Sequence, residues 1–397
     1  MKAARKVKSH VISRQAHSKA QKSFLSLPTQ IDLPLLFLVT GMVVFGLIMV
    51  YSASFIYAQE RTGDGFAFIK KQSIVAVLGF AGLWLACQMD YQKIRDRAFL
   101  ILGLATLLLA LVWIPGFGVR VGGAQRWLQF PGFNLQPGEI AKFAVIAFVA
   151  RQLTVKREEL NRWVPAMIAP ILLAIPAMGL LLMQPDFGTT VMISATVFAM
   201  LFLAGVPTRF LASVLAVGGA TGAYLALGTA YRRARIETFL DPWADPLGKG
   251  FQIIQSWIGL HHGQVMGVGL GNGKEKLFYL PEAHNDFIFA VIGEELGFLG
   301  VLGVAAAFLF FIYRGLKIAY DAEVIHQDRF GMLLASGITL ALGLQGFVNM
   351  AIVLGLLPTK GLTLPMISYG GSALLVDLIA VGVLLSIGRG PQSRFSR

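Results

Sequence analysis

The residues best suited to chemistry are three acids in one largely apolar stretch, from Tyr279 to Gly297. They are Asp286, Glu294 and Glu295. Charge at membrane depth is costly and is usually functional or paired. Asp286 is expected in the first turn of a helix, at its outer boundary, where an apolar surrounding suits a general base. Glu294 is expected about 12 Å deeper along the same helix, and both glutamates are predicted to be structural, paired with another span.

A second group of residues could bind phosphate oxygens. Arg126 lies in the motif GAQRW, and Glu139 and Lys142 lie in QPGEIAK. A spacing of three places Glu139 and Lys142 on one helix face. Arginine holds phosphate through paired hydrogen bonds and lysine acts as a point charge, so Arg126 and Lys142 could hold an anionic substrate. The alternative for Glu139 and Lys142 is a structural ion pair.

Two further motifs carry candidate substrate contacts. Asp186 lies in the turn QPDFGT, where it could cap a helix N-terminus, touch substrate or bind a metal. Lys360 and Ser368 lie in PTKGLTLPMISYGGS, whose prolines and glycines interrupt the helical pattern. Irregular backbone at membrane depth lies against protein or a wet cavity, so both side chains are candidate contacts. Ser368 could instead be the N-cap of the next helix.

These motifs lie in a chain of 397 residues, of which 56% are hydrophobic and only 14% charged. Soluble proteins average about 25% charged residues. Apolar stretches long enough to cross a bilayer recur along the chain. The predicted fold is all-α: a polytopic integral membrane protein with ten transmembrane helices. The ten spans are predicted at 33–54, 72–89, 98–114, 137–153, 164–183, 187–205, 208–229, 286–313, 330–355 and 368–388.

The predicted organisation has a basic cytoplasmic tail (1–32), a membrane domain (33–388) and a short cytoplasmic tail (389–397). A long extracytoplasmic loop (230–285) joins helices 7 and 8, and part of it, including Phe251–Leu260, is expected to fold onto the membrane surface. Short segments on the predicted cytoplasmic side carry about three times as many Lys and Arg as those on the other side, which sets the orientation. The net charge of +13 therefore indicates membrane topology, not nucleic-acid binding. The single cysteine, Cys87, excludes an internal disulfide.

Two apparent signals fail on inspection. GVGLGNG, from Gly267 to Gly273, resembles a phosphate-binding loop, but Val268 stands where the first glycine should be and Glu275 follows the lysine. His261 and His262 are adjacent, which is poor geometry for binding one metal ion. The sequence shows no required cofactor and no cluster of carboxylates that would enclose a metal ion, although Mg²⁺ or Mn²⁺ could still assist catalysis.

Five motifs in this order resemble those of the SEDS proteins of bacteria, which act in shape, elongation, division and sporulation. They are GAQRW, QPGEIAK, QPDFGT, YLPEAHNDFIFAVIGEELG and PTKGLTLPMISYGGS, and the resemblance covers about residues 33 to 388. With Lys360, the last motif looks more like the division branch of the family than the elongation branch. Departures occur at Gly123, at Asn285 and at His261-His262, and none of them removes a charged position.

The resemblance implies a peptidoglycan glycosyltransferase that polymerises lipid II at the outer leaflet. A glycan chain on undecaprenyl pyrophosphate would be the donor. Asp286 would be the catalytic base. The remaining motif positions would contact substrate: Arg126, Glu139, Lys142, Asp186, Lys360 and Ser368. The implied partners are a class B penicillin-binding protein acting as transpeptidase and other division membrane proteins, at the septum of the bacterial inner membrane.

Two other functions fit parts of the pattern. Intramembrane charges and broken helices also occur in transporters, so a lipid II flippase is one alternative. A flippase would need matching polar groups towards the inner face, and the inner loops carry only ordinary basic residues. The other alternative is a scaffold for the division machinery, which is compatible with catalysis.

Overall fold

The computed structural model describes residues 31–121, 124–130, 133–162, 169–228, 230–276 and 283–391. The predicted tails fall largely outside these ranges, at 1–30 and 392–397, and so does the start of the Tyr279–Gly297 stretch, at 279–282. The helices are α1 (Leu33–Thr62), α2 (Ala67–Gln88), α3 (Gln92–Asp96), α4 (Ala98–Leu111), α5 (Pro137–Val155), α6 (Ala169–Met183), α7 (Phe187–Leu203), α8 (Thr208–Leu227), α9 (Ala230–Leu240), α10 (Phe251–Gly263), α11 (Ile288–Val324), α12 (Arg329–Val353) and α13 (Gly371–Gly388).

Each of the ten predicted spans coincides with a helix. By length and composition, six of the described helices could cross a membrane, namely α1, α2, α8, α11, α12 and α13. The helices α4, α6 and α7 contain apolar runs that are shorter. In α5, three charged residues, Glu139, Lys142 and Arg151, interrupt the apolar pattern. The count of ten spans and their orientation remain predictions.

A small antiparallel sheet departs from the all-α prediction. Its strands are β1 (Gly118–Val121), β2 (Ala124–Phe130) and β3 (Phe133–Leu135), in that order. Valine and aromatic side chains favour strands, and Leu128 of β2 pairs with Gly118 on one side and Leu135 on the other. The segment lies between α4 and α5, so the sheet carries Arg126 on its central strand.

Small residues let the central helices approach closely. A Cβ on Gly382 of α13 would lie 2.4 Å from the backbone oxygen of Leu83 in α2, and such contacts are how helices pack in lipid. Helices α5 and α12 are buried along most of their length. In contrast, Leu211 is the one buried residue of α8, which lies at the edge of the bundle.

Two polar contacts join α1 and its N-cap residue to α11. At one, Arg314 contacts Asp32 at 2.6 Å; at the other, the hydroxyl of Ser52 donates to Glu295 at 2.7 Å. Asp32 and Ser52, at the two contacts on the α1 side, are about 30 Å apart at 1.5 Å per residue. This distance is about the thickness of a bilayer's hydrocarbon core, so the polar contacts lie at the two ends of an apolar slab.

The α11 helix extends to Val324, beyond the predicted limit of 313, and it bends sharply at Gly297. Gly297 has φ 67° and ψ −162°. A Cβ on Gly293 would lie 3.3 Å from Cγ2 of Val301, although residues eight apart in a straight helix are separated by about 12 Å. The segment before Gly297 therefore turns back against the segment after it.

The predicted long loop completes this bend. Helix ends leave backbone groups without hydrogen-bond partners. At the bend in α11, the loop after α10 supplies those partners. The amides of Phe298 and Leu299 donate to the carbonyls of Gln264 and Val265 at 2.8 and 3.2 Å. In return, the amide of Val268 donates to a carbonyl of α11. The described part of loop 230–285 thus contains α9 and α10 and is tied to α11; α10 includes the whole apolar stretch expected to fold onto the membrane surface.

Candidate active site

Asp286 lies in a turn before α11, not in its first turn as predicted. The helix begins at Ile288, after Phe287. Asp286 is half-buried, and its backbone oxygen accepts a hydrogen bond from Nδ2 of Asn349 at 2.8 Å. A Cβ on Gly361 would lie 2.9 Å from Oδ2 of Asp286. The absence of a side chain at Gly361 therefore lets the loop between α12 and α13 lie against this carboxylate.

The depth of Asp286 is the reverse of the prediction. Helices α11 and α12 pack antiparallel: Gly315 of α11 lies against Thr339, and Phe308 of α11 lies against Gly346. Continuing this pairing by three residues places Asn349 level with about residue 305 of α11. Asp286, bound to Asn349, then lies about 12 Å further into the bundle than Gly297. Glu294 and Glu295 lie at the bend, so Asp286 is the deeper group. The sequence prediction treated α11 as straight and was wrong on this order.

The segment around Asp286 is also fixed on its other side. The carbonyl of His284 accepts a hydrogen bond from the amide of Tyr369 at 3.0 Å. The His284 ring lies among Tyr57, Phe68 and Tyr369, with centroid distances of 4.6 to 5.5 Å. Contacts from α1, α2 and the α12–α13 loop therefore hold the main chain that carries Asp286.

Lys360 lies at the N-terminus of α7. Its Nζ is 5.4 Å from the centre of the Phe187 ring, and a Cβ on Gly188 would lie 2.6 Å from that Nζ. Burial lowers the pKa of Lys360 to about 8. The Asp186 carboxylate opposes this shift, whereas the positive charges of Arg235 and Arg126 add to it. Lys360 is therefore a half-buried cation among other cations.

We call Arg126, Arg235 and Lys360 the cationic rim. Arg126 donates through Nε to the carbonyl of Gln184 at 3.1 Å and through Nη2 to that of Pro185 at 2.6 Å. Arg235 of α9 donates to the carbonyl of Thr359 at 3.0 Å. All three side chains are half-buried, and we call the region that they and Asp286 border the recess.

Asp186 caps α7. Its Oδ1 accepts from the amide of Thr189 at 3.2 Å, and its Oδ2 accepts from the Thr189 hydroxyl at 2.8 Å. The capping interpretation is therefore confirmed. A Cβ on Gly138 would lie 3.5 Å from Oδ2 of Asp186, so α5 and α7 begin side by side. Helix N-termini carry partial positive charge, and the Asp186 carboxylate offsets it here.

Glu139 and Lys142 form a buried ion pair at 2.7 Å, and the structural alternative for them is confirmed. Lys142 is 2% exposed, and its Nζ also donates to Oε1 of Gln345 at 2.8 Å. Asp377 of α13 lies 3.9 Å from the same Nζ. These three charges, which we call the buried triad, lie beneath the recess. Lys142 thus cannot contact a phosphate there directly, as the substrate-binding prediction required.

Ser368 is buried, and its hydroxyl accepts from the amide of Leu364 at 2.8 Å. It closes a turn within the α12–α13 loop. The alternative that it caps the last helix is wrong, because α13 begins at Gly371 with Gly370 before it. With its oxygen held by Leu364, Ser368 positions the loop and is poorly placed to contact substrate.

The glycine-rich loop that resembled a phosphate site binds carboxylates of its own chain. Oε1 of Glu294 accepts from the amide of Lys274 at 2.6 Å, and Oε2 of Glu295 accepts from the amide of Gly271 at 3.1 Å. Lys276 pairs with Glu295 at 2.6 Å. The two glutamates are structural, as predicted; Glu295 does reach another span through Ser52, but its ion pair is with the loop.

Burial and the charge of Glu294 raise the pKa of Glu275, in the same loop, to about 7. Its Oε2 is buried and has no hydrogen-bond partner within the described residues. Its amide donates to Oε2 of Glu294 at 3.3 Å, so this acid belongs to the loop that surrounds the two glutamates.

Sequence reasoning missed four residues of this region: Arg235, Gln345, Asn349 and Asp377. Asp377 carried a readable signal, because it is an acid inside an otherwise apolar span. Gln345 and Asn349 are polar residues four apart in an apolar helix, which places them on one face. Arg235 was counted only as one basic residue of a long loop.

No group of three or more His, Cys, Asp or Glu side chains in the described ranges is placed to hold a metal ion. The acids nearest the recess are Asp286 and Asp186, and Asp186 is engaged with Thr189 and lies beside Lys360. These residues do not fit a protein-bound Mg²⁺ or Mn²⁺ site, so no step below involves one.

Comparison with known proteins gives consistent results. The family model of the FtsW/RodA/SpoVE cell cycle proteins matches residues 33–392. The "probable peptidoglycan glycosyltransferase FtsW" of Geobacter metallireducens is 47% identical over 356 residues, covering 90% of this chain and 94% of that one. The protein of the same name from Halorhodospira halophila is 43% identical and covers 92% of both chains.

Two solved structures share the fold. One belongs to a peptidoglycan synthase complex studied for the coordination of polymerisation and crosslinking; it has a TM-score of 0.73 and 31% identity, covering 93% of this chain and 99% of that one. The rod-shape-determining protein RodA of Thermus thermophilus has a TM-score of 0.66 and 27% identity, covering 91% and 98%.

Proposed function

Because the chain belongs to the FtsW/RodA/SpoVE family of cell cycle proteins, we propose that it is a peptidoglycan glycosyltransferase that polymerises lipid II during division. The observation that carries the proposal is the placement of the Asp286 carboxylate against the loop of Lys360, with both side chains half-buried. A carboxylate beside a cationic, partly desolvated surface suits proton abstraction next to an anionic leaving group.

In the proposed reaction, Asp286 takes the proton from the 4-hydroxyl of the acceptor sugar of lipid II. The hydroxyl oxygen attacks the anomeric carbon of the donor, a glycan chain on undecaprenyl pyrophosphate. The bond from that carbon to the pyrophosphate oxygen breaks, and undecaprenyl pyrophosphate leaves with the electron pair. The proton remains on Asp286 until solvent removes it.

The cationic rim supplies charge where the leaving group becomes more negative. Arg126 uses two of its five N–H donors on Gln184 and Pro185, which leaves further donors for phosphate. Lys360 and the N-terminus of α7 face the same recess. Lys142 acts from beneath: it holds Gln345, which in turn holds the carbonyl of Thr363 at 3.1 Å.

The proposed setting is the outer leaflet of the bacterial inner membrane at the septum. The fold shared with a member of a peptidoglycan synthase complex supports a class B penicillin-binding protein as the transpeptidase partner. Other division membrane proteins would assemble with the pair.

The test uses the purified full-length protein with its transpeptidase partner and lipid II. We expect Asp286→Asn to lower the rate of glycan polymerisation by about a hundredfold or more, the usual contribution of a positioned base, with an unchanged unfolding temperature. Normal polymerisation by a folded Asp286→Asn protein would refute the assignment. Lipid II translocation in vesicles without polymer would support the flippase instead, and EDTA in the same assay measures dependence on Mg²⁺ or Mn²⁺.

A further inference from the structure

The side chain of Asn349 joins the two segments that form the recess. Its Nδ2 donates to the backbone oxygen of Asp286 at 2.8 Å and to that of Leu362 at 2.5 Å. Asn349 is 1% exposed. An amide NH₂ has two hydrogens, so one nitrogen satisfies both carbonyls and holds the two main chains at a fixed separation.

The oxygen of the same side chain shows which half of the amide matters. Oδ1 of Asn349 is buried and has no hydrogen-bond partner among the residues that the structure describes. Burying an unpaired acceptor is unfavourable. The polar contribution of Asn349 therefore lies in its NH₂ group and in the two carbonyls that this group connects.

Gln345 extends this connection by one helical turn. It lies four residues earlier on the same face of α12, donates to the carbonyl of Thr363 at 3.1 Å and accepts from Lys142 at 2.8 Å. Two amides of α12 thus hold consecutive carbonyls, those of Leu362 and Thr363. The buried triad binds Gln345 through Lys142, and Asn349 binds the backbone of Asp286.

We propose that Asn349 is a positioning residue for glycosyl transfer: its amide nitrogen fixes the spacing between Asp286 and the loop that carries Lys360. The proposal rests on the function proposed above. Lys360 is two residues before Leu362, so a shift of that loop moves the cation relative to the carboxylate. A misplacement of about 1 Å in an active site can lower the rate about a hundredfold.

The test compares Asn349→Ala with Ser256→Ala. Ser256 of α10 is also a buried polar side chain, and its hydroxyl lies within hydrogen-bond distance of two carbonyls, that of Ile253 at 2.8 Å and that of Val353 in α12 at 3.1 Å. These contacts lie outside the Asp286 segment and the α12–α13 loop. Both variants remove a buried side chain that joins two segments through carbonyls, so a purely structural role predicts equal effects.

We expect Asn349→Ala to lower kcat for lipid II polymerisation at least tenfold, with KM changed less than threefold. Ser256→Ala, corrected for folded protein, should keep kcat within threefold of the unaltered protein. Equal losses in the two variants, or a loss confined to KM, would overturn the inference.

A double variant tests the mechanism of positioning. Residues that act through one another give non-additive effects. In a Lys360→Ala background, the further loss from Asn349→Ala should be less than threefold, because the spacing to Lys360 no longer matters; additive losses would contradict this. The proposed function itself fails if Asp286→Asn is active. The Asn349 inference fails separately, if Asp286→Asn is inactive and Asn349→Ala behaves like Ser256→Ala.

Discussion

Lys360 keeps its positive charge in surroundings that oppose it. Burial and two neighbouring arginines favour the neutral amine, and Asp186 only partly compensates. A lysine in water titrates near pH 10.4, whereas here the pKa is about 8. The charge is therefore present at neutral pH and is lost as the pH rises through about 8.

This gives a prediction for the pH dependence of polymerisation. If Lys360 stabilises the pyrophosphate, the rate should fall above about pH 8, since the neutral amine cannot do so. Lys360→Arg should move this decline to higher pH, because a guanidinium stays protonated. The measurement is the initial rate of polymer formation between pH 6 and 9.5.

The matched control is Lys249→Arg, at an exposed lysine of the loop between α9 and α10. It should leave the pH profile unchanged. A profile that is flat to pH 9.5 in the unaltered protein would show that the charge of Lys360 is not required.

At the residue scale, the sequence predicted which site residues lie near one another better than it predicted what each side chain does. Asp186, Asp286 and Lys360 were expected together, and they surround one recess because chain breaks before helices bring polar residues to one end of a bundle. The burial of Lys142 could not be predicted. Helical spacing shows that Glu139 and Lys142 share a face, but not that α12 and α13 cover that face with Gln345 and Asp377.

At the scale of elements, the bend in α11 requires glycine at position 297. A Cβ on Gly297 would lie 2.6 Å from the backbone oxygen of Val265 and 2.4 Å from the amide nitrogen of Gly267. Its φ of 67° is also unfavourable for other residues. The loop after α10 thus packs so closely against position 297 that only glycine, which has no side chain, fits there.

We therefore expect Gly297→Ala to destabilise the protein by about 2–4 kcal/mol, combining backbone strain with overlap. Gly303→Ala is the matched control, since a Cβ there meets nothing within 4 Å in the same helix. That change should be neutral or slightly stabilising. Thermal unfolding of both variants in detergent measures the difference, and equal stabilities would contradict the account of the bend.

The sequence predicted the helices of the membrane domain because apolar runs of sufficient length are visible in it. It did not predict the bend, because Gly297 lies in an apolar run like many other glycines. Its conformation is fixed by Val265 and Gly267, which are distant in sequence. The sheet was missed for a different reason: its strands are short, and the valines and aromatics of β1 and β2 lie between glycines that indicate a loop.

At the scale of the whole molecule, the predicted orientation places the recess outside and both termini in the cytoplasm. Labelling of single cysteines can test this, in a background where the buried Cys87 is replaced by alanine. Lys249→Cys, in the α9–α10 connection, should react with a membrane-impermeant maleimide in intact spheroplasts. Lys93→Cys, exposed on α3, should react only after permeabilisation. The opposite pattern would reverse the orientation.

The return of the chain at Gly297 has a consequence for how a lipid-linked sugar could reach Asp286. The carboxylate lies about 12 Å further into the bundle than the bend. A substrate entering sideways between helices would bring its phosphates to this level while its tail stayed among the acyl chains. Lifting the tail into water would cost about 0.8 kcal/mol for each exposed methylene. If the proposed reaction is right, the return of the chain at Gly297 lets the sugar reach Asp286 while the lipid tail stays in the bilayer.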